Sequence, residues 1–275
     1  MPNPAIRLRD FQEQFKKAAS KTIPDEPFIY DEPTMISLHF DLHSIQSVML
    51  KSDPESLVFS YTRVMMGFLF FQQEPEHIAM IGLGGGSLAK YCLKYLPNAH
   101  FTAIEISSSV IALREKFSIP ADNDKFKVLH ANGADFVANQ SDKVDVLLVD
   151  GFDENGQPPE LCSTDFYNNC YTKLRDGGVM VVNLHGSDIN LGSYASRICD
   201  SFEDKLIMVD VEGDGNKIAF AYKGKEFPLT KEILFDRIHK LGSKHPLTLH
   251  DSTQEITQWL KKYSLYSAWK KFLGD

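Results

Sequence analysis

The chain has 275 residues, 43% hydrophobic and 24% charged, which is enough for a full core and ordinary for a soluble globular protein. A formal net charge of −8 leaves no surplus of basic surface to neutralise phosphates, so a general nucleic-acid binder is excluded. Four cysteines (Cys92, Cys162, Cys170 and Cys199) form no CxxC pair and no zinc spacing, which excludes a disulfide scaffold and suits reduced thiols in a cytoplasmic protein.

The opening MPNPAIRLRDFQEQF lacks the apolar stretch of a signal peptide. It reads as a lead-in with one short helix over Arg9–Ala19. Two β-like runs follow, Thr34–Phe40 and Ser44–Leu50, with Asp41, Leu42 and His43 as the turn of a hairpin. Ser52 or Asp53, then Pro54 and Glu55, are helix-start signals, and the spacing predicts a helix from there to Phe71. That helix is apolar on most faces, which fits burial and equally a homodimer contact. Its longest apolar stretch, Val64 to Phe71, is too short to span a bilayer.

From His77 onward, strands and helices alternate. Strands are expected at Ile78–Ile81, Phe101–Ile106, Phe126–Leu129, Val144–Val149 and Val179–Leu184. Helices are expected at Ser87–Leu96, Ser108–Phe117, Gly133–Ala138 and Thr164–Leu174. Such alternation argues for an α/β fold with a parallel, Rossmann-type sheet covered on both faces, and runs such as VDVLLVD suit strands buried on both sides. Leu206–Val211 and Lys217–Tyr222 flank EGDGN as an antiparallel pair for one sheet edge. The tail from Leu229 reads as helical with breaks near Gly242 and Pro246. The organisation expected is an N-terminal β-hairpin segment with its linking helix over 1–73 and a nucleoside-binding domain over 74–275.

The strongest chemical signal is IAMIGLGGGSLAKYCLKY. A strand runs into Gly82, Leu83, Gly84, Gly85 and Gly86, and a helix opens at Ser87, so backbone N–H groups and a positive helix end face a ligand that can approach closely. Glu105 ends the next strand, where a carboxylate can accept both hydroxyls of a ribose. The run G-L-G-G-G-S fits the G-x-G-x-x-G of nicotinamide dinucleotide folds poorly. Asn132 and Gly133 follow the third strand, where an adenine can be held. Asp150 follows the fourth with Asp153 just beyond, both at the carboxyl edge of the sheet.

With these residues in place, the sequence resembles the polyamine aminopropyltransferase family, the spermidine and spermine synthases, over roughly Thr34 to Leu184. The resemblance rests on Gln46–Ser47, SYTRVMM at Ser60–Met66, the glycine turn, Glu105 and the Asp150/Asp153 pair. It is closest to a divergent spermidine synthase-like branch carrying GLGGGSLA, VDGFD and VVNL. It implies a class I S-adenosylmethionine-dependent transferase sheet with a small N-terminal β-rich segment, decarboxylated S-adenosylmethionine as cofactor, a small-molecule amine as acceptor, and no metal. The cofactor-binding residues it implies are Gln46, Tyr61, Gly82, Gly84, Gly85, Gly86, Glu105, Asn132 and Gly133. The catalytic pair is Asp150, as base, and Asp153, which helps hold the amine.

The departures from the family pattern are equally specific. Gly85 stands where the family has an aspartate for the aminopropyl amine, Arg63 replaces a glutamate that helps hold the polyamine, Asn132 replaces an acidic residue, and Glu154 replaces a proline. Three readings stay open: aminopropyl transfer with altered acceptor specificity, methyl transfer from ordinary S-adenosylmethionine with Arg63 pairing its carboxylate, and an inactive nucleoside-binding homologue. His39, His43 and His185 are read as satisfied polar residues, and Trp259, Tyr263, Tyr266 and Trp269 as a packing face.

Overall fold

The computed structural model describes residues 27–41, 45–152, 156–211, 213, 215–225, 227, 230–242, 244–246 and 256–259. The expected helix Arg9–Ala19, the turn residues Leu42 and His43, Asp153, Glu154, Tyr263, Tyr266 and Trp269 lie outside the described residues.

Three short strands, β1 (Phe28–Asp31), β2 (Met35–His39) and β3 (Ser47–Leu50), pair antiparallel in that order. β2 and β3 are the hairpin expected from alternation. β1 has no such signature, being a four-residue edge strand between prolines that is only half-buried. His39 is a satisfied core residue: its Nε2 lies 2.6 Å from Ser37 Oγ and its ring stacks on Phe28.

The helix expected from Asp53 to Phe71 is much shorter. Asp53 and Pro54 sit in a turn, closed by Asp53 N–H donating to Leu50 O at 3.2 Å and Ser56 N–H donating to Asp53 O at 3.1 Å. Helix α1 covers only Ser60–Met65 and tightens into a 3₁₀ turn over Met66–Phe70. Met65, Met66, Phe68, Leu69 and Phe70 are all 0% exposed, so this run is buried within the subunit and offers no homodimer surface. Burial on every side overrides the local helix signal here.

Among the described residues the main sheet has seven strands: β4 (His77–Ile81), β5 (His100–Glu105), β6 (Phe126–His130), β7 (Val144–Val149), β8 (Leu174–His185), β9 (Leu206–Asp210) and β10 (Asn216–Lys223). Their spatial order is β6-β5-β4-β7-β8-β10-β9. The first five run parallel, and β10 and β9 close the edge antiparallel, as expected from the EGDGN hairpin. The sheet is α/β and Rossmann-type, as the alternation implied. Helices α2 (Ser87–Tyr95), α3 (Ser108–Ala112), α4 (Gly133–Ala138), α5 (Thr164–Lys173), α6 (Leu191–Ser201) and α7 (Lys231–Gly242) flank it. β7 shows why its sequence is apolar from Val146 onward: Val146 and Leu148 enter one core cluster with α2 and α7, while Leu147 and Val149 enter the other with α4, α5 and α6.

α3 ends at Ala112, where the sequence suggested Phe117. The chain turns through Ser118 at φ 53° and brings Phe117 and Ile119 against the glycine turn. Trp259 packs edge-on against Phe227 with ring centroids 6.0 Å apart. No helix of the described residues is long and apolar enough to cross a membrane.

Candidate active site

The parallel strands end at one edge, and this edge gathers the polar residues. Gly82 N–H donates to Ile104 O at 2.8 Å and Asp150 N–H to Ile81 O at 2.9 Å, so the glycine turn, the end of β5 and the end of β7 are locked together. Glycine is required at 82, since φ is +90° and a Cβ would lie 2.2 Å from the Asp150 carbonyl oxygen.

Gly84, at φ +50°, lies close under Ser47 of β3, whose hydroxyl also accepts Gly85 N–H at 2.9 Å. A Cβ at Gly85 would lie 2.8 Å from the Phe117 ring and 2.9 Å from Ser47 Cβ. An aspartate therefore has no room at this position, which explains the departure seen in the sequence. Gly85 and Gly86 shape the turn from behind and do not line the cavity in front of it.

Glu105 is 8% exposed and holds the turn in place. Its Oε2 accepts Leu83 N–H at 2.9 Å and its Oε1 accepts Ser107 N–H at 2.8 Å. Each carboxylate oxygen keeps a further lone pair for a ligand hydroxyl. Asn132 caps α4 by accepting Ala134 N–H at 2.7 Å. Ile106, 62% exposed beside Glu105, gives the cavity an apolar wall that the sequence did not single out.

Asp150 is the centre of a second cluster. Asn216 Nδ2 donates to Asn183 Oδ1 at 2.7 Å, and Asn183 Nδ2 donates to Asp150 Oδ1 at 2.8 Å. Asn216 thus fixes which end of the Asn183 amide faces the carboxylate. The Tyr61 hydroxyl also hydrogen-bonds to Asp150. Burial raises the Asp150 carboxyl above the usual aspartate value, and the hydrogen bonds from Asn183 and Tyr61 offset part of that rise. Asn183 went unnoticed in VVNL, although a polar residue near the carboxyl end of a buried strand is itself a signal.

These clusters face one cavity of about 1170 Å³. Gln46, Tyr61, Gly82, Gly84, Glu105, Asn132, Gly133 and Asp150 all line it. Arg63 does not. Its guanidinium donates to the carbonyls of Leu57 (2.9 Å) and Val58 (2.8 Å) and to Ser60 Oγ (2.9 Å), so it closes the start of α1 instead of waiting for a carboxylate. His185 lies on the rim with Nδ1 2.9 Å from Ser187 Oγ.

The spermine/spermidine synthase domain model matches residues 58–196, just over half of the chain. The chain belongs to the spermine/spermidine synthase family. Its relatives in the family include a polyamine aminopropyltransferase from Chromobacterium violaceum, 36% identical over 231 residues, covering 84% of this chain and 88% of that one. A polyamine aminopropyltransferase from Neisseria meningitidis is 34% identical over 224 residues, covering 81% and 85%. The spermidine synthase of Thermotoga maritima shares the fold, with a TM-score of 0.63 at 18% identity, covering 83% of this chain and 79% of that one. The chain is a spermidine synthase-like transferase on this evidence of kinship.

Proposed function

We propose that the chain transfers an aminopropyl group from decarboxylated S-adenosylmethionine to a small amine. The observation that carries this reading is the charge of the cavity. The carboxylates of Asp41, Glu105, Asp150, Glu160 and Asp188 line it, and among the described residues no lysine or arginine does. A cationic amine and a sulfonium that lacks a carboxylate both suit such a lining. A donor that keeps its carboxylate meets like charge, worth about 1 kcal/mol for one pair at roughly 6 Å and an effective dielectric of about 40. With Arg63 committed to backbone carbonyls, the methyl-transfer reading loses the one cation assigned to it.

The residues present fit the nucleoside. Gly82 and Gly84 let it approach the backbone, Glu105 offers lone pairs to its ribose, and Gln46, Asn132, Gly133 and the apolar Ile106 border the same space. Tyr61 lines the same cavity and hydrogen-bonds to Asp150. Gly85 and Gly86 serve by shaping the turn. When bound, the sulfonium supplies a carbon made electrophilic by the positive sulfur beside it.

Asp150 acts as the base. An alkylammonium titrates near pH ~10 and must lose a proton before its nitrogen can attack. The raised pKa makes this carboxylate a better proton acceptor, and a positioned base of this kind contributes ~10²–10⁴-fold. Asn183 and Tyr61 fix the carboxylate, so the amine meets it in one orientation. Asp153 is proposed as the partner that holds the cationic acceptor chain.

The test is turnover. Purified protein is incubated with 1,4-diaminobutane and either donor, and products are read by mass spectrometry. Aminopropylated amine plus methylthioadenosine from the decarboxylated donor alone is the expected result. Methylated amine from the ordinary donor, or no product from either, overturns the reading.

A further inference from the structure

Gln157 lines the cavity, is 8% exposed, and has one end of its amide held and the other end free. Its Nε2 donates to the Asn183 carbonyl at 3.4 Å, while its buried Oε1 has no hydrogen-bond partner. A buried carbonyl without a donor is costly to leave unpaired, so such an atom on a residue that lines a ligand cavity points to a donor that arrives with the ligand.

The position of Gln157 says which part of the ligand that is. Along the carboxyl edge the order is Glu105 on β5, Gly82 after β4, Asp150 after β7 and Asn183 on β8. Neighbouring strands lie about 4.8 Å apart, which puts the Asn183 strand about 14 Å from the Glu105 strand. Gln157 is tied to the β8 side, beyond Asp150 and away from the nucleoside half. An acceptor-only oxygen there, in a cavity rich in carboxylates and without a described lysine or arginine, suits an N–H of a cationic amine.

We propose that Gln157 is a binding residue for the acceptor amine, with Oε1 accepting an amine N–H beside the carboxylate of Asp150. This rests on the transferase reading above, and the test separates the two. Binding of 1,4-diaminobutane is measured by calorimetry in the presence of methylthioadenosine, for the wild type, Gln157→Leu and Gln157→Glu. The KM for the amine and kcat are measured with the decarboxylated donor, and thermal stability is recorded alongside.

For Gln157→Leu, the amine Kd and KM should both rise about 10-fold, equivalent to about 1.4 kcal/mol, with a smaller change in kcat. Thermal stability should hold or increase, since an unpaired buried carbonyl has been removed. Gln157→Glu keeps an acceptor oxygen and should hold the amine KM within about 3-fold of wild type. An unchanged amine Kd in Gln157→Leu overturns the proposal, as does a wild type that binds no amine. Weakened amine binding in Gln157→Leu, with no turnover by any form, sustains the role of Gln157 and rejects the aminopropyl-transfer reading.

Discussion

Asp150→Asn removes the proposed proton acceptor and preserves the shape of the side chain. Asn183 Nδ2, now at 2.8 Å from Oδ1, can still donate to the amide oxygen, and the Tyr61 hydroxyl can rotate to accept from the amide nitrogen. The geometry should therefore survive while kcat falls ~10²–10⁴-fold, or about 3–5 kcal/mol of transition-state stabilisation. In the wild type, kcat/KM should fall at low pH with a midpoint above the ordinary aspartate range, because burial raises this carboxyl. The variant's residual rate should lose that acid limb.

Stability should move the other way. A carboxyl whose pKa is raised on folding contributes stability that is fully present below its unfolded pKa and is lost as pH rises through the folded pKa. At neutral pH the ionised Asp150 is thus a burden on the fold. Converting the Asn183 bond from charged to neutral sacrifices about 1 kcal/mol at most, against relief of the burial penalty, which is the largest cause of the shift. Differential scanning calorimetry at pH 7 should show an equal or higher Tm. A variant with wild-type kcat, or one that melts several degrees lower, refutes the assignment of Asp150 as a buried, ionised base.

Gly82→Ala places a methyl 2.2 Å from the Asp150 carbonyl at φ +90°, so chemical denaturation should show a loss of about 3 kcal/mol, together with weakened nucleoside binding. Arg63→Gln should lower stability by about 1–2 kcal/mol through the lost cap bonds to Leu57 and Val58, yet leave the KM for the sulfonium donor unchanged; a raised donor KM would restore the carboxylate-pairing role. Lys90, 4% exposed and donating to Phe117 O at 2.7 Å, has its pKa lowered by burial from 10.5 to about 8. Between pH 8 and 10.5 the unfolded chain holds a proton that the folded chain has released, so stability should rise with pH by about 3 kcal/mol from this group. Lys90→Met should flatten that rise in denaturation curves taken across the window.

The parallel core was legible because its strands are largely apolar and four of them run into a chemical signal: Gly82 after β4, Glu105 at the end of β5, Asn132 after β6 and Asp150 after β7. Val144–Val149 and Gly133–Ala138 match the structure residue for residue. What escaped depends on contacts distant in sequence. β1 exists because Ile29 and Tyr30 meet Leu38 and Ser37 across a register that four residues cannot announce. The start of α1 is decided by the Arg63 guanidinium and by burial of the MMGFLF run, so the nearer Asp53-Pro54 signal became a turn. Within the site, Asn183 and Gln157 gain meaning only when β8 is laid beside β7. The reason for glycine at 85 is visible only once Phe117 and Ser47 close over it.

Direct titration of the purified chain with the two sulfonium donors bears most closely on the claim that its cavity is a cradle for a carboxylate-free, cationic nucleoside. Decarboxylated S-adenosylmethionine should bind at least about 10-fold more tightly than S-adenosylmethionine, in keeping with one unfavourable charge pair at the five-carboxylate lining. Equal affinity, or tighter binding of the ordinary donor, would contradict it.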